Sequence, residues 1–184
     1  SATLTDFSGR MLADATLPTP PTPKTLNHLL EEIDALMDLV LKGAGKSLAD
    51  ISAVGIGMSG IVDHETGMVP WSPLLTERDV DMGKAFVARF GLPLLIDNDA
   101  NVLTLAELWF GAGRAMSDFA VVTIEHGVGM GLVLENRLFR GARGMGLELG
   151  HTKVQLDGAL CRCGRRGCLE AYLADCALAR EAAA

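Results

Sequence analysis

Four side chains toward the carboxyl end of this 184-residue chain carry its most specific chemical signal: Cys161, Cys163 and Cys168, with His151 ten positions ahead of the first cysteine. The spacing Cys-x-Cys-x4-Cys puts three thiols into one short loop, and Gly164 and Gly167 supply the tight turns that wrap such a loop around an ion. Three thiolates and an imidazole complete a tetrahedral shell, the donor set of a structural Zn2+ site. A turn at Asp157-Gly158 brings His151 back to the loop. Three merely buried or redox-active cysteines are the competing reading, which this spacing disfavours. Cys176 falls on the apolar side of the last helical stretch and is expected in the core.

Oxygen and nitrogen donors gather around the same loop. Glu148 stands three residues before His151, after the glycine-rich run Gly141-Ala142-Arg143-Gly144-Met145-Gly146. A metal-bound histidine presents its second ring nitrogen to an oxygen, so Glu148, elsewhere an ordinary solvated acid, is assigned to a ligand pocket beside the metal. Asn98-Asp99 stands where a strand ends and a helix begins, the place where open α/β sheets bind ligands. Both residue types also cap helices, which on these two residues alone is the commoner role. An amide beside a carboxylate suits paired hydrogen bonds to vicinal hydroxyls, and Asp99 can accept a hydroxyl proton. Glu170, two residues after Cys168, is held by the metal loop and aims at the same ligand. Asn98, Asp99, Glu148, His151 and Glu170 are thus candidate contacts to one hydroxyl-bearing ligand. Gly127-Val128-Gly129-Met130-Gly131 resembles a backbone cradle for phosphate but lacks a hydroxyl or lysine, so a tight hairpin is expected there, with Glu125-His126 as turn polarity.

The elements that must position these groups follow from apolar spacing. Leu29, Leu30, Ile33, Leu36, Met37, Val40 and Leu41 predict an amphipathic helix from Leu26, capped by Thr22-Pro23 and stopped by Gly43. Val54 to Met58 predicts a buried strand that opens at Ser59-Gly60, and a helix follows from Asp81 to Phe90 before Gly91. Leu94-Leu95-Ile96 is the strand that delivers Asp97-Asn98-Asp99 to a helix over Ala100 to Phe110. Hairpins are expected around Ser8-Gly9, between Phe119–Ile124 and Met130–Leu134, and at Glu135-Asn136-Arg137. A single helix is expected over Leu169 to Ala184. The order implies an α/β fold of mixed sheets in two lobes. Residues 1–97 form an N-terminal lobe without its first strand, residues 98–184 a C-terminal lobe with the sugar and zinc sites, and the chain is expected to be truncated at both ends.

The formal charge of -7, from 16 Lys and Arg against 23 Asp and Glu, leaves no general footprint for nucleic-acid backbones. Apolar runs stop well short of the ~20 residues that span a bilayer, so no membrane contact is expected. Ser1 to Asp6 lacks a secretion signal, which points to the cytoplasm, where clustered cysteines favour metal over disulfides.

Together Gly55-x-Gly57-x-x-Gly60-x-Val62-Asp63, Asn98-Asp99-Ala100-Asn101, Ala106-Glu107, Gly127-x-Gly129-x-Gly131, Glu148-Leu149-Gly150-His151 and Cys161-Arg162-Cys163-Gly164-Arg165-Arg166-Gly167-Cys168-Leu169-Glu170 resemble the ROK family of repressors, open reading frames and sugar kinases. The resemblance implies an actin-like, hexokinase-like ATPase fold of ribonuclease H-like type. It implies sugar contacts at Asn98, Glu148, His151 and Glu170, Asp99 as the base of the kinases, and a structural zinc on His151 and the three cysteines. Within the family the chain is more similar to the NagC/XylR-like transcriptional regulators than to the kinases. Val128 stands where kinases carry a threonine, no Asp-Gly-x-x-Thr-Lys phosphate loop is present, and the stretch Gly150-His151-Thr152-Lys153-Val154 has the character of the regulators. Ser59, Leu74 and Leu147 are further departures from the common pattern. The resemblance thus implies a sugar-sensing domain without useful kinase activity, oligomeric, and reaching DNA through an upstream helix-turn-helix. The alternatives are an ATP-dependent and Mg2+-dependent glucokinase or N-acyl-hexosamine kinase, and a catalytically silent scaffold.

Overall fold

The computed structural model describes residues 1–20, 22–141, 144 and 146–183. The chain divides into two compact units, Ser1–Ile96 and Asp97–Ala184.

In the first unit β1 (Ala2–Thr5) pairs antiparallel with β2 (Met11–Ala15). Helix α1 (Leu26–Ala44) is capped by Thr25, whose hydroxyl accepts from the His28 amide at 3.3 Å, and ends at the left-handed Gly45. Both ends differ from the expected Thr22 and Gly43. At the start, the Lys24 amide donates to the Leu74 carbonyl and the Lys24 carbonyl accepts from Thr76, which keeps the chain extended up to Thr25. At the end, Gly45 rather than Gly43 takes the left-handed conformation that lets a helix close on itself.

Strand β3 (Val54–Met58) is joined in a two-stranded sheet with β7 (Leu94–Asn98). It alternates rather than being buried throughout: Val54, Ile56 and Met58 turn inward, while Gly55 and Gly57 are exposed. Strands β4 (Ile61–Asp63), β5 (Met68–Trp71) and β6 (Val80–Asp81) make a three-stranded antiparallel sheet. Helix α2 (Met82–Phe90) begins at Asp81, whose carboxylate accepts from the Lys84 amide, and stops at Gly91 as its sequence requires. Leu30, Met58, Val62, Val69, Met82, Phe86, Phe90 and Ile96 close the apolar core of this unit.

The second unit opens with α3 (Asp99–Phe110) and continues into the antiparallel sheet β8 (Phe119–Ile124), β9 (Val128–Leu134) and β10 (Arg137–Leu138). Ile124 pairs with Val128, and the Glu125 amide closes on the Gly127 carbonyl, so β9 starts two residues earlier than its sequence suggests. Glu135 and Asn136 hold positive φ values of 50° and 61°, the paired left-handed residues of a tight hairpin. Thr104 of α3 donates to the Ala100 carbonyl and fills the space beside Gly131 of β9.

The expected final helix is two: α4 (Glu170–Leu173) and α5 (Asp175–Ala182), with Ala174 extended between them. The cause is the Asp175 amide, which donates at 2.9 Å to the Glu125 carbonyl in the β8–β9 hairpin loop. The break resets the helical phase, burying Ala174 and Ala177 and leaving Cys176 exposed instead of in the core. Among the described residues no helix is long and apolar enough to cross a membrane.

Candidate functional site

The donor atoms of His151, Cys161, Cys163 and Cys168 lie within 4.8 Å of one another. The Cys163 and Cys168 sulfurs are 3.7 Å apart, and His151 Nδ1 is 3.9 Å from the Cys161 sulfur. Tetrahedral zinc with ordinary bond lengths separates two sulfurs by about 3.8 Å and a sulfur–nitrogen pair by about 3.6 Å. The residues present therefore fit such an ion.

Local structure explains the convergence. The Cys161 amide donates to the Arg165 carbonyl and the Gly164 amide to the Cys161 carbonyl, folding the loop back on itself. Gly167 has φ 75°, and a side chain there would overlap the Gln155 carbonyl. His151 comes from a single 3-10 turn, Leu149–His151. That turn is seated by Gly150, where an added Cβ would run into the Val128 carbonyl. The apolar cluster under this loop holds only Cys161, Cys168 and Ala171, with Ala159 and Tyr172 against it. This cluster is small, so a metal held by the four donors would add substantially to the stability of the loop.

The thiols differ in their environments. Burial pushes the Cys161 thiol up to about 12, whereas the Arg165 amide lowers Cys163, which faces solvent.

Three of the carbohydrate-type contacts expected from sequence belong to this constellation. His151 Nε2 points away from the thiols and lies 4.0 Å from Glu148 Oε2. Glu170 has a largely buried side chain: Oε2 accepts from the Val128 amide at 3.3 Å, while Oε1 lies 3.5 Å from the Cys161 sulfur and 3.8 Å from the Arg162 guanidinium. Arg162 also donates to the His126 carbonyl. Asn98 and Asp99 do cap α3: Asn98 Oδ1 accepts from the Ala100 and Asn101 amides, and Asp99 Oδ1 from the Ala100 amide. Gly129 approaches Ala100, and Val128 approaches Gly150, so the start of β9 touches both the helix that Asn98 caps and Asp99 begins and the turn that carries His151. Of the glycine-rich run before Glu148, Ala142, Arg143 and Met145 lie outside the described residues.

Two of the amides of the Gly127-Val128-Gly129 segment are committed. The Val128 amide is taken by Glu170, the Gly129 amide by Thr123 Oγ1 at 3.2 Å, and the Val128 side chain is buried. A carboxylate at the first of these amides opposes a phosphate there.

Sequence reasoning passed over three residues. Asp97 is buried and accepts from Asn101 Nδ2 at 2.8 Å and from Arg140 Nε at 2.7 Å. The signal for it was an acid closing an apolar strand with an asparagine four residues on; Arg140 had no such signal. Lys153, quoted only as part of a motif, donates to the Cys168 sulfur.

The ROK family profile matches residues 1–184. The chain is 37% identical to the xylose repressor of Caldicellulosiruptor bescii over 150 residues, 82% of this chain and 38% of that protein. It is 35% identical to the glucokinase of Streptomyces coelicolor over 182 residues, 99% of this chain and 55% of that enzyme. Its structure resembles that of a ROK family glucokinase from Streptomyces griseus in complex with glucose and AMPPNP, with a TM-score of 0.83, 35% identity, and coverage of 97% of this chain and 55% of the other. The chain thus spans between 38% and 55% of the length of these relatives. With a profile match from end to end and repressors and kinases alike above 30% identity, this chain belongs to the ROK family and shares its actin-like, hexokinase-like ATPase fold.

Proposed function

We propose that this chain is the sugar-binding part of a ROK transcriptional regulator, one that takes a hexose or an amino sugar through Asn98, Asp99, Glu148, His151 and Glu170. A structural Zn2+ on His151, Cys161, Cys163 and Cys168 orders the loop that holds Glu170 and orients the imidazole; its role is scaffolding. The observation that carries the choice of regulator over kinase is Val128, buried where the kinases carry a threonine hydroxyl. Phosphoryl transfer depends on donors and cations that neutralise phosphate charge, and here the hairpin offers a carboxylate and a buried valine instead. Asp99 serves either reading, because a carboxylate placed to deprotonate a hydroxyl also hydrogen-bonds it in the ground state. In the cytoplasmic full-length protein, sugar binding biases two arrangements that a DNA-binding segment outside this chain reads as operator affinity.

The kinase reading has one specific support, the likeness to glucokinases over 99% of this chain. Under it Asp99 is the base and ATP with Mg2+ binds the full-length protein. Two measurements on the full-length protein separate the readings: sugar-dependent ATP consumption, and affinity for its own promoter with and without a panel of hexoses and amino sugars. Promoter binding that changes with one sugar, without ATP turnover, supports the regulator. Sugar phosphorylation at about 1–100 per second without promoter binding overturns it.

A further inference from the structure

Three thiolates and a neutral imidazole around Zn2+ sum to one negative charge, and Cys168, fully buried, is the donor least able to share that charge with water. Lys153 stands against it. An isolated antiparallel bridge pairs Lys153 with Cys168, and the flanking bonds Val154 amide to Gly167 carbonyl and Leu169 amide to Thr152 carbonyl, both 2.9 Å, hold the two segments in register. The ammonium lies 2.9 Å from the Cys168 sulfur and 2.7 Å from the Arg166 carbonyl, two acceptors that fix its position. The neighbouring cations are committed elsewhere: Arg162 to Glu170 and the His126 carbonyl, Arg166 to the Gly158 carbonyl. Among the described residues, Lys153 alone directs a charged donor to a sulfur of the cluster.

We propose that Lys153 is the charge-balancing partner of the metal centre, a positioning residue whose hydrogen bond to Cys168 brings the loaded site to neutrality and withdraws electron density from that sulfur. The proposal rests on the zinc reading of the four donors. Hydrogen bonds from outside the coordination shell typically tune metal affinity by 10- to 100-fold, and a bond to a ligand sulfur also shifts its charge-transfer energy. Lys153→Met removes both charge and donor, Lys153→Gln removes the charge and keeps a shorter amide donor, and Lys153→Arg keeps both.

The full-length protein and these variants are titrated with Zn2+ against a competing chelator, and their Co2+ forms are compared by sulfur-to-cobalt charge-transfer absorption. Expected are about 10-fold or greater weakening of zinc binding in Lys153→Met, an intermediate loss in Lys153→Gln, near-parental binding in Lys153→Arg, and a band moved to longer wavelength in the Met form. If Lys153→Met does not fold, the comparison of Gln with Arg carries the test. Equal zinc affinity and an unmoved cobalt band in the charge-removing variants overturn the role of Lys153. A parental protein that holds neither zinc nor cobalt overturns the zinc reading instead.

Discussion

Arg140 donates through Nε to Asp97 at 2.7 Å, with the Asp97 side chain 9% and the Arg140 side chain 25% exposed. The pair fastens the segment that follows β10 to the end of β7, next to Asn98 and Asp99. Arg140→Met leaves the Asp97 carboxylate buried with only Asn101 and the Asn98 amide as donors. A loss of about 2–3 kcal/mol is expected, below the full cost of breaking a buried pair because the guanidinium is partly solvated. Urea unfolding of the full-length variant measures it, and an unchanged midpoint shows that the pair carries no such weight.

One zinc per chain is expected by elemental analysis of protein purified without chelator. Cys163→Ser is expected to destabilise by several kcal/mol, since loss of a structural metal removes folding energy. A mutant that melts like its parent disposes of the structural role.

The pH dependence of the same site has a definite sign. In the metal-free chain burial raises the Cys161 thiol from its ordinary 9.0 to about 12, so it is protonated at neutral pH and the metal must expel that proton. Apparent zinc affinity therefore rises with pH. The raised value also means that the metal-free fold keeps this contribution below pH 9.0 and loses it as pH climbs from there toward about 12. Chelator competition across pH 6–8 tests the first statement, with flat affinity as the contrary result.

Glu148 is exposed and Glu170 largely buried, and their replacement separates recognition from folding. Glu148→Ala is expected to weaken sugar binding by about 1–3 kcal/mol while changing stability by no more than about 0.5 kcal/mol. Calorimetry against the sugar panel decides it: a parent that binds and a variant that binds equally well remove Glu148 from the pocket.

Gly150→Ala forces a methyl against the Val128 carbonyl and displaces the turn that presents His151. The overpacking costs about 1–3 kcal/mol, and weakened zinc retention is expected to accompany it. Retention equal to the parent's shows that the turn relaxes without moving the imidazole.

The convergence of His151, Cys161, Cys163 and Cys168, Asp81 and Gly91 at the ends of α2, and the capping residues of α3 were legible because each depends on local spacing or backbone chemistry. What was not legible came from contacts distant in sequence. The break between α4 and α5 depends on the Glu125 carbonyl, fifty residues before Asp175, and no helix-propensity argument registers it. The start of α1 is set by pairing of Lys24 with residues near Leu75, and Asp97 acquires its partner at Arg140 only once β10 has folded back. Lys153 reads as an ordinary surface cation until the bridge to Cys168 is in place.

His151 turns Nδ1 to the thiols and Nε2 to Glu148, and the two faces are not chemically independent. A metal on Nδ1 takes that nitrogen's lone pair and leaves the ring's single neutral proton on Nε2, so toward Glu148 the imidazole is a donor and never an acceptor. Its 4.0 Å separation from Glu148 Oε2 is too long for a direct hydrogen bond and leaves a gap with a donor on one side and an acceptor on the other. A hydroxyl satisfies both sides at once. A keto oxygen or an ether leaves the carboxylate without a donor, and a carboxylate guest is repelled. On the proposed reading, with metal on Nδ1 the tautomer makes this corner favour a free hydroxyl over a carbonyl, an ether or a carboxylate.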